Sequence, residues 1–472
     1  MTKIILGGAG PASIGAALTL INSSIQGLEV IMLDQGKRIE ERKQDDSTDK
    51  AYGFGGVGPF SDGKFIFDTI LGKRQIGTNL SELIGERDKE YLKKTKGQFK
   101  YFYEPLFGEM KEVSQERIIR GLEISRLAGI HDMDYIMAHD YHIGTDRLPE
   151  LMKSIQDYLE QKGVRIITSE RIIDFEKGKV YTEKVNGVKE GQKQEYTCDY
   201  FFLAPGRNDS AWLQSILKKQ KIKHSSRPID IGLRIETDSN VLKHLTDIER
   251  DVKLEFRHPN GDLIRTFCAC PYGVVSTDVR KPEWGGLDFC LVNGASSSEH
   301  LSDNTNFALL VRMPLRDNGD NAAWGRRIAQ TYKEAGVNRI VMQRMGDLNN
   351  ERSSKPGKIN EWRIKPTLDP SLYMPGDVRI GMPARIMDDL RYGLRKLSVP
   401  GLLEGLNQDS TLLYGPEIKM HGNQIATDEY LQSVSIPTIY FGGDGSGMTR
   451  GIGGAWSSGI RAAEGIIKSM NK

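Results

Sequence analysis

Four stretches of the chain combine residue types and spacing that can do chemistry. The first is Gly8-Ala9-Gly10-Pro11-Ala12-Ser13, set between the apolar run Lys3-Ile4-Ile5-Leu6 and a small-residue segment, Ile14 to Leu20. A second apolar run, Glu29 to Leu33, ends on Asp34. Strand, tight turn, helix, strand and acid are the parts that hold a dinucleotide pyrophosphate on a helix N-terminus, with the acid near a ribose hydroxyl. Gly8 permits the sharp turn, and Gly10 lets the backbone come close to a phosphate. Ser13 stands where Gly or Ala usually packs the helix on the sheet. A βαβ turn without ligand is the bland alternative.

The second stretch is residues 52 to 68, with Gly53, Gly55, Gly56, Gly58 and Gly63 among Phe54, Phe60 and Phe65. Such a loop can wrap its amides round an anion or lie flat against a ring, and Ser61-Asp62-Gly63-Lys64 adds polar groups on a tight turn. A surface loop is the other reading. The third is Arg265-Thr-Phe-Cys268-Ala-Cys270-Pro. On a strand, two thiols two residues apart share a face, which suits a redox dithiol or a thiol nucleophile, and equally suits two small buried side chains.

The fourth closes the chain. A strand ending at Phe441 leads into Gly442-Gly443-Asp444, then a glycine loop, then a helix with small residues at Gly451, Ala455, Gly459 and Ala462. The start of that helix is a partial positive charge suited to a ring carbonyl that gains negative charge on reduction. His139 and His142 lie three residues apart, but no third ligand is evident, so no metal site is expected.

Composition bounds these readings. The chain has 472 residues, long enough for two domains or one large domain with insertions. With 65 basic against 63 acidic residues and a formal net charge of +2, it lacks the cationic excess of a nucleic-acid binder. Neither a signal peptide nor an apolar run long enough to span a membrane is evident. Cys198, Cys268, Cys270 and Cys290 then read as reduced thiols of a cytoplasmic protein.

The elements that position these stretches follow from periodicity. Residues 80 to 129 carry helical spacings, Leu148 to Gln161 a further helix with Asp146 as its cap, and residues 163 to 198 a meander of short strands. Tyr200-Phe-Phe-Leu-Ala-Pro-Gly206-Arg reads as a buried strand that returns to the sheet. Strands at Ile229–Glu236, Val252–Phe256, Leu263–Cys270 and Phe307–Arg312 and a helix at Ala322–Ala335 follow. The expected fold is α/β. A Rossmann-type FAD/NAD(P)-binding domain, with a central parallel sheet and a small antiparallel meander, is joined to a discontinuous mixed α+β substrate domain. The expected boundaries are 1–75, 142–215 and 376–472 for the first, 76–141 for a helical insertion or lid, and 216–375 for the second.

A glycine fingerprint at one end and a Gly-Asp strand end at the other resembles flavoproteins of the glutathione-reductase-like superfamily. The stretches GFGGVGPFSDGKF, HIGTDRL, FLAPGR, DIGLRIE, FCACP, NTNFALLV and GGDGSGMTRGI are similar to bacterial FAD-dependent dehydrogenases of that superfamily. The resemblance implies FAD. It places Gly8, Gly10, Pro11 and Ala12 at the pyrophosphate and Asp34, shorter than the usual Glu, at the adenosine ribose, with Gln35 and Arg42 beside them. It places Ile172 at adenine and Gly55, Gly56, Ser61 and Asp62 near the ribityl chain or flavin. Gly206, Gly443 and Asp444 would meet the ribityl chain or pyrophosphate, and Thr449, Arg450, Gly451 and Gly453 the pyrimidine edge. The implied activity moves hydride or electrons between a small-molecule substrate and flavin N5, as a dehydrogenase or reductase on a C–C or C–N bond. NAD(P)H is a candidate transient donor, since no second fingerprint appears mid-chain. A monooxygenase using NAD(P)H and O2 is the alternative enzyme, and an escort protein of the same fold the alternative of another class. Lys64, Arg265, Cys268 and Cys270 are the candidate catalytic side chains.

Overall fold

The two apolar runs flanking the first glycine turn pair with each other in parallel. In the computed structural model, Thr2–Gly7 and Leu28–Leu33 run side by side, Ile5 opposite Ile31, with the helix Pro11–Ile21 crossing between them. Tyr200–Leu203 and Ile439–Phe441 extend the sheet on one edge and Arg165–Ile167 on the other, giving five parallel strands. Strands buried on both faces read as unbroken apolar runs. Ile4, Ile5, Leu6, Ile31, Met32 and Leu33 are accordingly all fully buried. The structure describes residues 1–44, 46–61, 63–72, 81–144, 146–185, 190–280, 289–296, 301–313, 321–420 and 423–471.

The expected meander is present as three antiparallel strands, Glu170–Glu176, Lys179–Lys184 and Lys193–Thr197. The helix Leu148–Gln161 has the expected bounds, but Arg147, not Asp146, is the residue that precedes it, and no side chain caps it. Pro149 near its start needs no amide partner, which lowers the demand for a cap.

A second, mixed sheet has nine strands, and two strand pairs, His224–Ser226 with Asn423–Ile425 and Val274–Arg280 with Phe289–Ala295, stand apart from it. Its centre is the antiparallel trio Leu412–Lys419, Ile229–Asp238 and Asn304–Met313, followed outward by Leu263–Cys270, Lys253–Arg257, Asp134–His142 and Lys64–Leu71. This sheet therefore draws strands from residues 1–75, 76–141, 216–375 and 376–472, segments of all three expected units. The strand Lys64–Leu71 puts Phe65 and Phe67 into the core beside Phe99, on the long helix Asp88–Phe107.

The two sheets are joined through the last helix, Gly451–Met470. It lies against the first helix so closely that a Cβ on Gly459 would sit 1.8 Å from the Ala12 carbonyl oxygen, and one on Gly15 2.4 Å from that of Trp456. On its other side, a Cβ on Gly453 would sit 2.4 Å from the Ile66 carbonyl. Contacts of backbone on backbone cannot yield by rotamer change. Gly459→Ala should therefore cost about 3 kcal/mol of stability, read as a lowered urea midpoint with an unchanged slope.

Candidate active site

Gly8 leaves the first strand with φ +91°, a conformation that favours glycine, and its amide bonds the Leu33 carbonyl at 2.8 Å. Gly10 precedes the first helix and offers no side chain to cap it, and Pro11 needs no amide partner. The first-turn amides are thus presented to an anion. Over Gly10 a Cβ would meet nothing nearer than the Gly56 Cα at 3.9 Å. Over Gly206 and Gly451 it would meet nothing within 4 Å. Open space above three loop glycines, at a helix start with no capping side chain, fits a bound dinucleotide.

The first and second glycine clusters touch. The Gly55 amide donates to the Ala9 carbonyl at 2.8 Å. Asp34 ties both to the end of the second strand: its Oδ2 accepts the Ala9 amide at 2.7 Å, and its Oδ1 the amides of Gly36 at 2.8 Å and Gly53 at 2.7 Å. The carboxylate is thus already engaged by three backbone donors that shape the turn. Arg42 is buried, and its guanidinium donates to the carbonyls of Asp49, Phe54 and Gly56. Burial pulls its pKa down to about 10. It shapes the 49–56 loop from within. Gln35 reaches Asp209 at 3.4 Å, the Ser61 hydroxyl donates to the Gly58 carbonyl, and Ile172 packs its side chain over Gly7. Asp62 lies outside the described residues.

At the other end of the chain, Asp444 organises the approach to the last helix. Its carboxylate accepts the Thr449 hydroxyl at 2.9 Å and the Gly451 amide at 3.2 Å, with Arg207 Nε at 3.5 Å. Burial raises its pKa against the pull of Arg207. The Gly443 amide donates to the Ser458 hydroxyl at 2.9 Å, and Gly445 abuts the Pro205 carbonyl, so this loop and the one carrying Gly206 are in contact.

Around the start of that helix the structure gathers side chains from distant strands. Arg450, immediately before it, lies 3.4 Å from Asp230. The same buried carboxylate bonds Arg265 and, at 3.1 Å, Arg312. Lys64, two residues from the Ile66 carbonyl that the helix touches, pairs with buried Asp251. Asp251 also takes Lys253 Nζ at 2.8 Å and the Ala269 amide at 2.9 Å. Burial works against its ionisation, but Lys253 and Lys64 hold its pKa well below the usual carboxylate range. Arg234, wholly buried, donates to Asn306 Oδ1 and the Cys268 carbonyl at 2.8 Å, and to Cys270 Sγ at 3.2 Å. Room for its guanidinium exists only because residue 294 is glycine.

The four candidate catalytic residues thus fall in two groups, Arg265 with Arg450 on Asp230, and Lys64 with the Cys268–Cys270 segment around Asp251 and Arg234. Sequence reasoning missed Arg234, Asp230 and Asp251, which hold these groups together. For Asp230 and Arg234 the signal was a charged residue inside a strand otherwise apolar, Ile229-Asp-Ile-Gly-Leu-Arg-Ile; Asp251, just before the strand Lys253–Arg257, carried none. His139 stacks on Tyr141 and its Nε2 lies 3.2 Å from the Lys111 carbonyl; the side chain of His142 lies outside the described residues. Among the described residues no three His, Cys, Asp or Glu side chains group to hold a metal ion. Nor does any described helix have the length and apolarity to cross a membrane.

Residues 228–420, the greater part of the nine-stranded sheet, match the family model described as FAD-dependent protein, C-terminal domain-like. An uncharacterised protein of Clostridium beijerinckii is 23% identical over 495 residues, covering 98% of this chain and 80% of its own length. Among solved structures, pyridoxine 4-oxidase from Mesorbium loti aligns over 98% of this chain and 99% of its own, with a TM-score of 0.42 and 12% identity. A flavoprotein/dehydrogenase from Cytophaga hutchinsonii aligns over 100% and 79%, with a TM-score of 0.37 and 11% identity. The family match carries the assignment of FAD as the cofactor.

Asp251 ionises more readily in the folded chain than in the unfolded one. The stability it contributes is complete above about pH 5 and fades as pH falls toward its lowered folded value. Asp251→Asn leaves Lys64 and Lys253 without their shared carboxylate and should cost about 3 kcal/mol near neutrality. The same variant should lose less stability than the parent between about pH 5 and pH 3, as measured by denaturant titration at each pH.

Proposed function

We propose that the chain is an FAD-dependent oxidoreductase, a dehydrogenase or reductase acting on a C–C or C–N bond of a small molecule. The single observation that carries this reading is the meeting of the two chain ends. The Gly8–Gly10 turn and the Gly443–Gly453 segment follow strands of one parallel sheet, with Tyr200–Leu203 between them, and lead into touching helices, with Arg450 and its partner Asp230 beside them. FAD, when bound, supplies the acceptor or donor of hydride or single electrons.

The residues of the chain do the rest. The amides at the start of the first helix hold the pyrophosphate, backed by the turn that Asp34 fixes through Ala9 and Gly53. Asp444 holds Thr449 and the Gly451 amide in place, so that the last helix directs its positive end at the ring system. The substrate is met by the nine-stranded sheet. Arg450 and Arg265, steadied by Asp230, and Lys64, steadied by Asp251, set the charge there. Reducing equivalents enter from the substrate or from a nicotinamide docked transiently, and the site of action is the cytoplasm.

The purified chain should be yellow, or take up FAD with the flavin absorbance bands; colourless protein that refuses FAD removes the reading. Asp444→Ala should weaken FAD retention by about tenfold or more, measured by flavin released on dialysis. NAD(P)H consumption with oxygen uptake and a hydroxylated product would instead mark the monooxygenase.

A further inference from the structure

Cys268 and Cys270 are not placed as two residues of a regular strand. Cys268 has φ +49°, in the left-handed region, and the pairing with Asn304–Met313 shifts register between Phe267 and Cys270. In an extended strand, residues two apart stand too far from each other for their sulfurs to bond. The expectation that alternation alone aligns the thiols is corrected: the bulge breaks the alternation and turns Cys270 back onto its neighbour, its Sγ 3.6 Å from the Cys268 carbonyl. The peptide between Cys268 and Ala269 is clamped from both sides, its carbonyl by Arg234 and its amide by Asp251. That clamp fixes the left-handed turn.

From this geometry we infer that Cys268 and Cys270 are an exchange-active dithiol that reduces small organic disulfides and closes to an internal disulfide. Cys268, half-buried, is the attacking sulfur; Cys270, buried against Arg234, is the resolving one. In the first step the Cys268 thiolate attacks one sulfur of the external disulfide. That S–S bond breaks, its electron pair leaves with one thiolate, and Cys268 carries the mixed disulfide. In the second, Cys270 gives up its proton and attacks the Cys268 sulfur, and the second external thiolate departs. The external disulfide gains two electrons and the two cysteines lose them. The protons of both cysteines end on the two released thiols.

The surroundings suit that order. The hydrogen bond from Cys270 acts first, and the charges of Arg234 and Lys64 add to it; against burial and Asp251 they bring the Cys268 thiol down to about 6. Lys253 and Glu417 are the next charges behind, paired with Asp251 and Arg234. Arg234 Nη2, at 3.2 Å, is placed to stabilise Cys270 as it loses its proton. Cys198 and Cys290 provide contrast within the same chain, since burial pushes both thiols up to about 11. The inference stands apart from the flavin reading, and a colourless protein would leave it untouched.

The test uses the full chain, reduced and freed of reductant, with hydroxyethyl disulfide as the probe at about pH 7. The parent should become about two mass units lighter, join Cys268 to Cys270 in one peptide and release two equivalents of 2-mercaptoethanol. Cys270→Ser should stop at the mixed disulfide on Cys268, and Cys268→Ser should react about tenfold slower or less. A parent that retains the mixed disulfide, or joins Cys268 to Cys198 or Cys290, overturns the inference. Should either variant fail to fold, the parent alone decides. Limiting iodoacetamide should label Cys268 ahead of Cys198 and Cys290, with its rate half-maximal near the value of about 6. Equal labelling of the three defeats the proposal.

Discussion

Backbone touches backbone where the last helix crosses the first, and every feature of the candidate site is referred to that crossing. Gly459 lies on Ala12, Gly15 on Trp456, and Gly453 on the Ile66 carbonyl of the strand Lys64–Leu71. A helix pinned at three points by missing side chains has little freedom to slide or rotate. Its N-terminus is therefore held at a fixed position relative to both the first glycine turn and the nine-stranded sheet. The small-residue stripe is a positioning device: it converts a contact between chain ends into a defined distance between the first glycine turn and the nine-stranded sheet.

Charge makes the second connection. Asp230, Asp251, Arg234 and Glu417 are all buried, and burying ions is costly unless each meets partners of opposite sign. Here the partners come from different segments. Asp230 takes Arg265, Arg312 and Arg450; Asp251 takes Lys64, Lys253 and the Ala269 amide. An apolar core of equal volume would pack as well without specifying which strand end faces which loop. The ionic partners fix that choice, because a slipped register would leave a carboxylate or guanidinium alone in the interior.

How much of this was legible follows from the kind of signal each part leaves. The first strand, helix and second strand are written in local terms, and so is the closing strand with its glycine loop. The meander and the helix Leu148–Gln161 also follow from period and turn residues. Sheet membership is not local. Nothing in Lys64–Leu71 or Leu412–Lys419 says that they join the same sheet as Ile229–Asp238 rather than the five parallel strands, since an apolar run can pair with either. The roles of Asp34 and Arg42 were also hidden. A carboxylate at a strand end reads as a ribose ligand. Only the fold shows it engaged by the amides of Ala9, Gly36 and Gly53.

The cysteine segment shows why spacing alone underdetermines chemistry. Cys-Ala-Cys on a regular strand is a pair of small side chains held apart by the pleat. The same three residues across a bulge bring the second thiol against the first residue's carbonyl, provided something sustains a left-handed turn at a residue with a side chain. Arg234 and Asp251 supply that support by holding the two ends of one peptide group, and neither is near the cysteines in sequence. The acid that grips the Ala269 amide is also the partner of Lys64, on the strand that the last helix touches. The conformation of the cysteine segment and the position of the strand that the last helix touches are thus tied to one carboxylate. Loosening Asp251 would disturb both.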